Sequence, residues 1–129
     1  CIIYLIYKES RNIMEHIHSI IIIKKGNKYL NYYDERWKTY LFPNIKGNDI
    51  EEIKNMYHTE NVELLFDKVH DKYSPPNKEV KTYHHYFYIV KEDINGEYFT
   101  LDELLSIEKV RENNSDVIRY IKEYFDKNS

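Results

Sequence analysis

Aromatic and basic side chains recur where strands are predicted, and together they have the chemistry of a nucleotide-binding site. Tyr33, Trp37 and Tyr86 offer flat ring faces, on which a base stacks for about 1–3 kcal/mol. Arg36 has a forked guanidinium and Lys46 a point charge, and both side-chain types bind phosphate. Alternate aromatic residues on strands also pack in cores, and single charges are often solvated, so the structural and the ligand-binding interpretation both stay open.

Histidines and carboxylates add a second set of candidates. His84 and His85 are neighbours on a predicted strand and point to opposite sides, and one of them is predicted to hydrogen-bond a base or a phosphate. A zinc site is not expected, because Cys1 is the sole cysteine and the sequence has no HExxH motif. Glu60 and Glu63 are three residues apart, which is one face of a helix. A solvated surface pair is the ordinary interpretation of that spacing.

The strands that would carry these side chains are runs of β-branched and aromatic residues between turn residues. Gly26-Asn27 predicts a hairpin turn, and Asn95-Gly96 predicts a second hairpin-type turn. The predicted strands cover residues 16–24, 28–33, 37–42, 82–90 and 97–100.

An amphipathic helix is predicted over Asp49–Thr59, with an extension to Leu65 as an alternative. Asn48 or Asp49 serves as its N-cap, and Asn48 with Glu51 approximates a capping box.

Two further helices are predicted near the C-terminus. Thr100 and Glu103 form a capping box in front of a short helix. Asn113-Asn114 predicts a break, after which Ser115 caps the last helix. Strands and helices alternate along the chain, so the sequence predicts a single mixed α/β layer architecture.

Composition limits the classes of function. The chain has 129 residues, of which 42% are hydrophobic and 32% charged, values typical of one folded domain. Its net charge of -3 argues against a protein that binds a nucleic acid polymer. Cys1–Tyr7 is apolar and is followed by Lys8. Seven residues are too few to cross a bilayer, which needs about twenty. The segment is therefore either an ordinary strand or core helix, or the end of a longer transmembrane helix with a basic cytoplasmic flank.

Residues 20–46, 83–90 and 98–105 and the helix from Ser115 resemble the Nudix family. The first stretch reads IIIIKKGNKYLNYYDERWKTYLFPNIK, with its two strands, Trp, aromatic-Phe-Pro and Lys. The resemblance implies a Nudix-like α/β/α sandwich with a mixed sheet. It also favours Lys46 as a ligand contact, because the loop after Pro43 faces the substrate in that family.

The Nudix box, the motif that holds magnesium in this family, is incomplete here. Glu51, Glu60 and Glu63 match three of its glutamates. Thr59 stands at its arginine and Leu64 at a further glutamate, while Ile45 and Phe66 replace its glycines. The resemblance implies Glu60 and Glu63 as the residual metal or catalytic carboxylates. Because their orienting arginine is missing, we expect no hydrolysis and no required cofactor, with Mg²⁺ as the metal if any is bound.

An eroded Nudix domain after an apolar segment with a basic flank resembles the SMODS-associated Nudix domain of bacterial CBASS antiphage operons. This implies an effector that binds a cyclic nucleotide messenger at Tyr33, Arg36, Trp37, Lys46, His84 and Tyr86. Residues 1–10 would be the end of a membrane helix or a linker, and residues 11–129 the Nudix-like domain. The membrane segment would precede this chain, and the domain would face the cytoplasm at the inner membrane. The alternatives are a magnesium-dependent hydrolase of a nucleoside diphosphate derivative, and a homo-oligomerising domain whose tyrosines form a subunit contact.

Overall fold

The computed structural model describes residues 16–74 and 78–128. The apolar segment Cys1–Tyr7 and the predicted boundary at residue 10 lie outside the described residues. The chain divides into two compact units. The described parts of the first unit are residues 16–21, 44–74 and 78–92, and those of the second are residues 22–43 and 93–128. Within the described residues, no helix combines the length and apolar character needed to cross a membrane.

A four-stranded sheet in the order β5-β1-β7-β6 forms the first unit. Its strands are β1 (Ile17–Ile22, which ends in the second unit), β5 (Asn44–Lys46), β6 (Val62–Ser74) and β7 (Glu79–Val90). β1 and β5 are antiparallel, and so are β6 and β7, which form a long hairpin. A bulge between Leu64 and Phe66 shifts the register once. Because opposed residues share a face, this register decides which side chains meet.

Helix α1 (Ile50–Tyr57) belongs to the same unit and begins where the sequence predicted. Asp49 is its N-cap and accepts a hydrogen bond from the backbone N–H of Glu51, whereas the predicted Asn48–Glu51 capping box does not form. Asn48 instead accepts a hydrogen bond from the Tyr88 hydroxyl. Ile53 is fully buried and anchors the apolar side of the helix.

The predicted helix of Asp49–Thr59, and its extension to Leu65, were too long. α1 stops at Tyr57 because His58 takes the left-handed conformation, with φ 52°, and its N–H bonds the Lys54 carbonyl. β6 begins four residues after His58, at Val62. Residues that looked like the end of a helix therefore pair with β7 instead, and neither β6 nor β5 was predicted from the sequence.

The second unit is built around β3 (Lys28–Asp34). β3 pairs with β2 (Lys24–Lys25), β4 (Thr39–Leu41) and β8 (Glu97–Thr100), always antiparallel. The hairpin predicted at Gly26-Asn27 is confirmed, and Gly26 has the positive φ of 61° that such a turn requires.

The prediction of a hairpin turn at Asn95-Gly96 was wrong, because β8 pairs with β3 and not with the preceding strand. Gly96 has another role. A side chain there would clash with Leu30, which is fully buried on β3. The glycine therefore allows the chain to approach β3 closely before β8 begins.

Two helices complete the second unit: α2 (Leu101–Leu105) and α3 (Glu108–Lys127). The capping box of Thr100 and Glu103 is confirmed. The predicted break at Asn113-Asn114, with Ser115 as N-cap, was wrong, because α3 continues through it. The Asn113 side chain donates to the Lys109 carbonyl within the helix, 2.9 Å away. The two asparagines have weak helix propensity, but the burial of apolar side chains along the helix outweighs it. The buried side chains form a stripe of Val110, Val117, Ile118 and Ile121.

The predicted mixed α/β class with a mixed sheet is confirmed. Each unit has its own buried residues. In the first unit they include Ile20, Ile21, Ile45, Ile53 and Phe87, and in the second Ile22, Ile23, Leu30, Leu104 and Ile118.

Candidate functional site

The turn after α1 holds the segment that resembles the metal-binding motif. The Thr59 hydroxyl donates to Glu92 Oε1 at 2.6 Å, and the Asn61 side-chain amide donates to the same oxygen at 2.7 Å. The Asn61 backbone N–H donates to Thr59 Oγ1. Both hydrogen bonds lower the pKa of Glu92, and the one from Thr59 has the larger effect. Thr59 therefore stabilises the turn that ends the helix.

Glu60 and Glu63 do not lie on one helix face, so that prediction was wrong. Glu60 is in the bend after α1, and its carboxylate lies 3.1 Å from Lys54 Nζ. Glu63 is on β6, opposite Ile89, and its carboxylate lies 3.4 Å from Lys91 Nζ. The hydrogen bond to Glu60 is the main cause that raises the pKa of Lys54. Each glutamate thus has its own lysine, and the two are on different elements.

No group of three or more His, Cys, Asp or Glu side chains in the described part of the chain is arranged to hold a metal ion. Glu51, the third motif glutamate, is on α1 and lies 3.4 Å from the same Lys54 nitrogen. Lys54 therefore lies between Glu51 and Glu60, where a bound divalent cation would have to compete with its charge.

One face of the β6–β7 hairpin carries aspartates, and we call it the aspartate face: Asp67, Asp71, Thr82, His84 and Tyr86. The rings of His84 and Tyr86 stack at 4.2 Å between centroids, with an interplanar angle of 23°. His84 Nε2 lies 2.7 Å from Asp67 Oδ2. Further along the same face, the buried Tyr88 hydroxyl donates to Asn48 just before α1. Burial is the main cause that raises the pKa of Tyr88.

The opposite face of the same sheet carries the rings of His16, His18, His70, Tyr83 and His85, and we call it the histidine face. Tyr83 is at its centre, with ring centroids 5.3 Å from His16, 6.1 Å from His18, 6.2 Å from His70 and 5.6 Å from His85. The prediction that His84 and His85 point to opposite sides is therefore confirmed. His16 and His18 also share a face, as their common contact with Tyr83 shows.

Two interactions fix the chemistry of the histidine face. His70 Nε2 lies 3.0 Å from His85 Nδ1, a hydrogen bond in which one ring donates and the other accepts. His85 is 8% exposed, so it is the buried ring of this pair, whereas His70 is half-buried. Burial, and then the positive charges of His16 and Lys46, lower the pKa of His18. Lys46 lies opposite His18 on β5, so this predicted ligand contact is on the other side of the sheet from His84 and Tyr86.

The other predicted ligand contacts, Tyr33, Arg36 and Trp37, are in the second unit, at the hairpin of β3 and β4. Tyr33 is 49% exposed and packs its ring edgewise on Tyr40 at 5.4 Å. Trp37 is 46% exposed, and its backbone N–H donates to Asp34 Oδ1. The turn therefore presents aromatic surface to solvent, as a stacking role requires.

Solved structures with the same arrangement of elements identify the fold. The Ap4A hydrolase of C. elegans superposes with a TM-score of 0.57 at 12% sequence identity, over 85% of this chain and 98% of that one. MutT from methicillin-resistant Staphylococcus aureus 252, a Nudix hydrolase, superposes with a TM-score of 0.55 at 14% sequence identity, over 86% of this chain and 97% of that one. A Nudix hydrolase from Nitrosomonas europaea superposes with a TM-score of 0.52 at 13% sequence identity, over 88% of this chain and 89% of that one.

The chain has the Nudix hydrolase fold. A scan against protein-family models and a search of curated proteins found no match. At these identities the structural likeness shows the fold alone.

Within this Nudix fold, the stretch that resembles the Nudix box is divided among three kinds of structure. Glu51 is on α1, Glu60 in a bend and Glu63 on a strand. Thr59 stands where the motif has its arginine. The turn formed by Thr59, Asn61 and Glu92 lies where the sequence predicted the end of the helix.

Sequence reasoning missed several residues that the site contains. Asp67 and His70 were not singled out, because β6 was not predicted. A signal was present in residues 67–72, which read DKVHDK. Alternation with a period of two places the aspartates on one face and the basic residues on the other.

Proposed function

We propose that this Nudix-fold chain binds a nucleotide and does not hydrolyse it. The observation that carries the proposal is the placement of the motif carboxylates on different elements, each beside its own lysine. Glu60 and Glu63 lie on a bend and a strand, at 3.1 and 3.4 Å from Lys54 and Lys91. Hydrolysis of a pyrophosphate on magnesium needs several carboxylate oxygens that converge on the metal. Two carboxylates that each bind a lysine do not supply that arrangement.

The stacked pair of His84 and Tyr86 supports a binding role. Both rings are half-buried, so they keep accessible surface while the sheet fixes their positions. A base that stacks on such a platform gains about 1–3 kcal/mol. The hydrogen bond that His84 Nε2 donates to the Asp67 carboxylate fixes the orientation of His84. Tyr33, Arg36 and Trp37, in the second unit, stay predictions of ligand contacts, and Tyr33 and Trp37 have exposed rings.

The proposed ligand is a cyclic oligonucleotide messenger, and the proposed context is an antiphage effector at the cytoplasmic face of the inner membrane. The sequence resemblance to SMODS-associated Nudix domains supports this, together with the apolar stretch Cys1–Tyr7 before Lys8. A membrane segment ahead of this chain would receive the signal. The ligand would shift the population of two states, by no more than its difference in affinity for them.

Calorimetric titration of the purified chain with cyclic di- and trinucleotides tests the proposal. We expect one member of the panel to bind saturably. Tyr86→Leu should weaken that binding by roughly 5- to 150-fold, the equivalent of about 1–3 kcal/mol of stacking. Tyr120→Leu, which removes a half-buried tyrosine from α3, is the matched control and should leave the affinity unchanged.

No heat and no thermal shift with any member of the panel would reject the proposal. Equal losses in Tyr86→Leu and Tyr120→Leu would keep nucleotide binding but remove His84 and Tyr86 from the site.

The alternative function is a magnesium-dependent hydrolase of a nucleoside diphosphate derivative. It is favoured by the structural neighbours, one of which is named an Ap4A hydrolase. Under this alternative Glu60 and Glu63 would hold Mg²⁺ after Lys54 and Lys91 move away. Product release from Ap4A or ADP-ribose that requires Mg²⁺ and is abolished by Glu63→Gln would establish it.

A further inference from the structure

The loop in front of β8 contains Asn95 followed by Gly96, where the predicted hairpin turn does not form. Both residues are exposed and lie outside the helices and strands. In the described part of the chain, no hydrogen bond holds the Asn95 carboxamide or the Gly96 N–H. A glycine has no side chain that would shield its backbone nitrogen. An electrophilic carbonyl carbon and an accessible nitrogen therefore follow each other along the chain.

The loop is anchored by the residues on either side of this pair. Lys25 Nζ lies 2.7 Å from Asp93 Oδ1, and the Tyr98 hydroxyl donates to the Ile94 carbonyl at 2.6 Å. Neither contact uses the side chain of Asn95. The anchors therefore hold the neighbouring residues in place, while the exposed Asn95 side chain keeps its freedom to rotate toward the following nitrogen.

We propose that Asn95 is a site of spontaneous deamidation, at which the chain acquires aspartate or isoaspartate. The Gly96 nitrogen loses its proton to the solvent and attacks Cγ of Asn95. The N–Cγ bond forms, the Cγ–Nδ2 bond breaks, and the leaving nitrogen takes a proton from water and departs as ammonia. Water then opens the succinimide ring at either of its carbonyl carbons. The overall change consumes one water and releases one ammonia, and it does not depend on the proposed nucleotide.

A similar sequence inside α3, Asn114 before Ser115, shows what the loop contributes. Both residues lie in the middle of the helix, where backbone N–H groups are bonded to carbonyls one turn earlier. The Ser115 nitrogen is released only when the helix opens locally, which costs free energy. Both asparagines precede a small residue, but only the loop before β8 leaves the attacking nitrogen accessible in the folded chain.

Deamidation has a structural consequence because Gly96 lies close to β3. A Cβ at Gly96 would lie 2.4 Å from the side chain of Leu30, which is fully buried. Isoaspartate adds a methylene to the backbone directly before this close approach. β8 begins at the next residue, Glu97, which pairs with Asn31. The longer backbone should displace Glu97 from Asn31, whereas aspartate keeps the backbone length and adds only a charge to the loop.

Peptide mapping by mass spectrometry tests the site after incubation of the chain in mildly alkaline buffer at physiological temperature. The peptide with Asn95 should gain the mass difference between a carboxyl and a carboxamide group, and isoaspartyl methyltransferase should label it. Asn95 should react at a similar rate in the folded chain and in urea. Asn114 should react on the order of tenfold more slowly in the folded chain than in urea, because α3 must open first.

Three variants separate the reaction from its consequence. Asn95→Gln should abolish the mass gain, because the longer side chain closes the corresponding ring poorly. Asn114→Gln is the matched control and should leave the reaction at Asn95 unchanged. Asn95→Asp has the new charge without the longer backbone and should melt close to the unmodified chain. The isoaspartyl fraction, purified by chromatography, should melt a few degrees lower.

Persistence of intact Asn95 in the folded chain, under conditions in which the chain in urea reacts, would overturn the proposal. Equal slowing of Asn95 and Asn114 by folding would also overturn it, since the loop would then protect its asparagine as the helix does. A mass gain that persists in Asn95→Gln would assign the reaction to another residue and reject the site. An isoaspartyl fraction that melts together with Asn95→Asp would contradict the displacement of β8.

Discussion

The two faces of the β6–β7 hairpin have opposite chemistry although they share the same backbone. The aspartate face carries Asp67 and Asp71, and on it His84 has a carboxylate partner. The histidine face carries His70 and His85, which bind each other beside lysines. A one-residue step along the strand therefore decides whether a histidine contacts a carboxylate or a second histidine ring. The strand period of two is enough to produce this separation.

Burial changes along the hairpin, and this gives the largest expected effect. Phe87 is fully buried on the histidine face and stacks on Phe66 at 4.3 Å, whereas Val69 on the other face is 59% exposed. Phe87→Ala should lower the free energy of unfolding by about 3–5 kcal/mol. Val69→Ala should change it by no more than about 0.5 kcal/mol. Urea denaturation of both variants measures the contrast, and equal effects would mean that burial does not determine the contribution of these two residues to stability.

Acidification should act through the histidine face. The pKa of His18 is lowered from its ordinary value of 6.5, so the folded state favours the neutral ring. Below that value the unfolded chain binds more protons, and stability falls as the pH falls toward the folded pKa. Stability should therefore be retained above about pH 7 and decline below it, and His18→Gln should make the decline shallower.

Melting temperatures across this pH range measure that prediction. His58→Gln, which removes an exposed histidine outside the sheet, is the matched control for the loss of a histidine. A slope in His18→Gln that equals the slope of the unmodified chain would contradict the account of His18.

The smallest effect is expected from the contact between Asp67 and His84 on the aspartate face. The Asp67 side chain is 52% exposed, so its contact with His84 is screened by solvent. Asp67→Asn should lower the free energy of unfolding by about 0.2–1 kcal/mol. Denaturation with urea measures it. A loss comparable to that of Phe87→Ala would show that this contact, and not the apolar packing, holds the hairpin.

The sequence predicted the parts of the fold that local signals determine. The turn at Gly26-Asn27, one of the two alternative N-caps (Asp49 and not Asn48) and the capping box of Thr100 and Glu103 depend on residues close in the chain. The mixed α/β class follows from their order. The errors arose where pairing between residues distant in the sequence determines the structure. β6 exists because residues 62–74 pair with β7 across a long hairpin, and that pairing excludes the predicted extension of the helix to Leu65.

The candidate site was predicted only in part, for the same reason. His84 and Tyr86 were recognised as ring-bearing residues of one strand, and they do stack. Lys46 was assigned to the same site, but its register with His18 places it on the other face. Glu60 and Glu63 were placed on a helix by their spacing of three. That spacing has no such meaning once one residue lies in a bend and the other on a strand.

The central claim is that the chain binds a nucleotide without turning it over. A phosphorus NMR time course tests it most directly, with the chain, Mg²⁺ and, in separate samples, Ap4A, ADP-ribose and each cyclic nucleotide of the panel. We predict that one ligand shows the shift or broadening of a bound species while its phosphorus signals stay those of the intact compound. The appearance of product signals at a rate proportional to the amount of chain, and their loss in Glu63→Gln, would contradict the account.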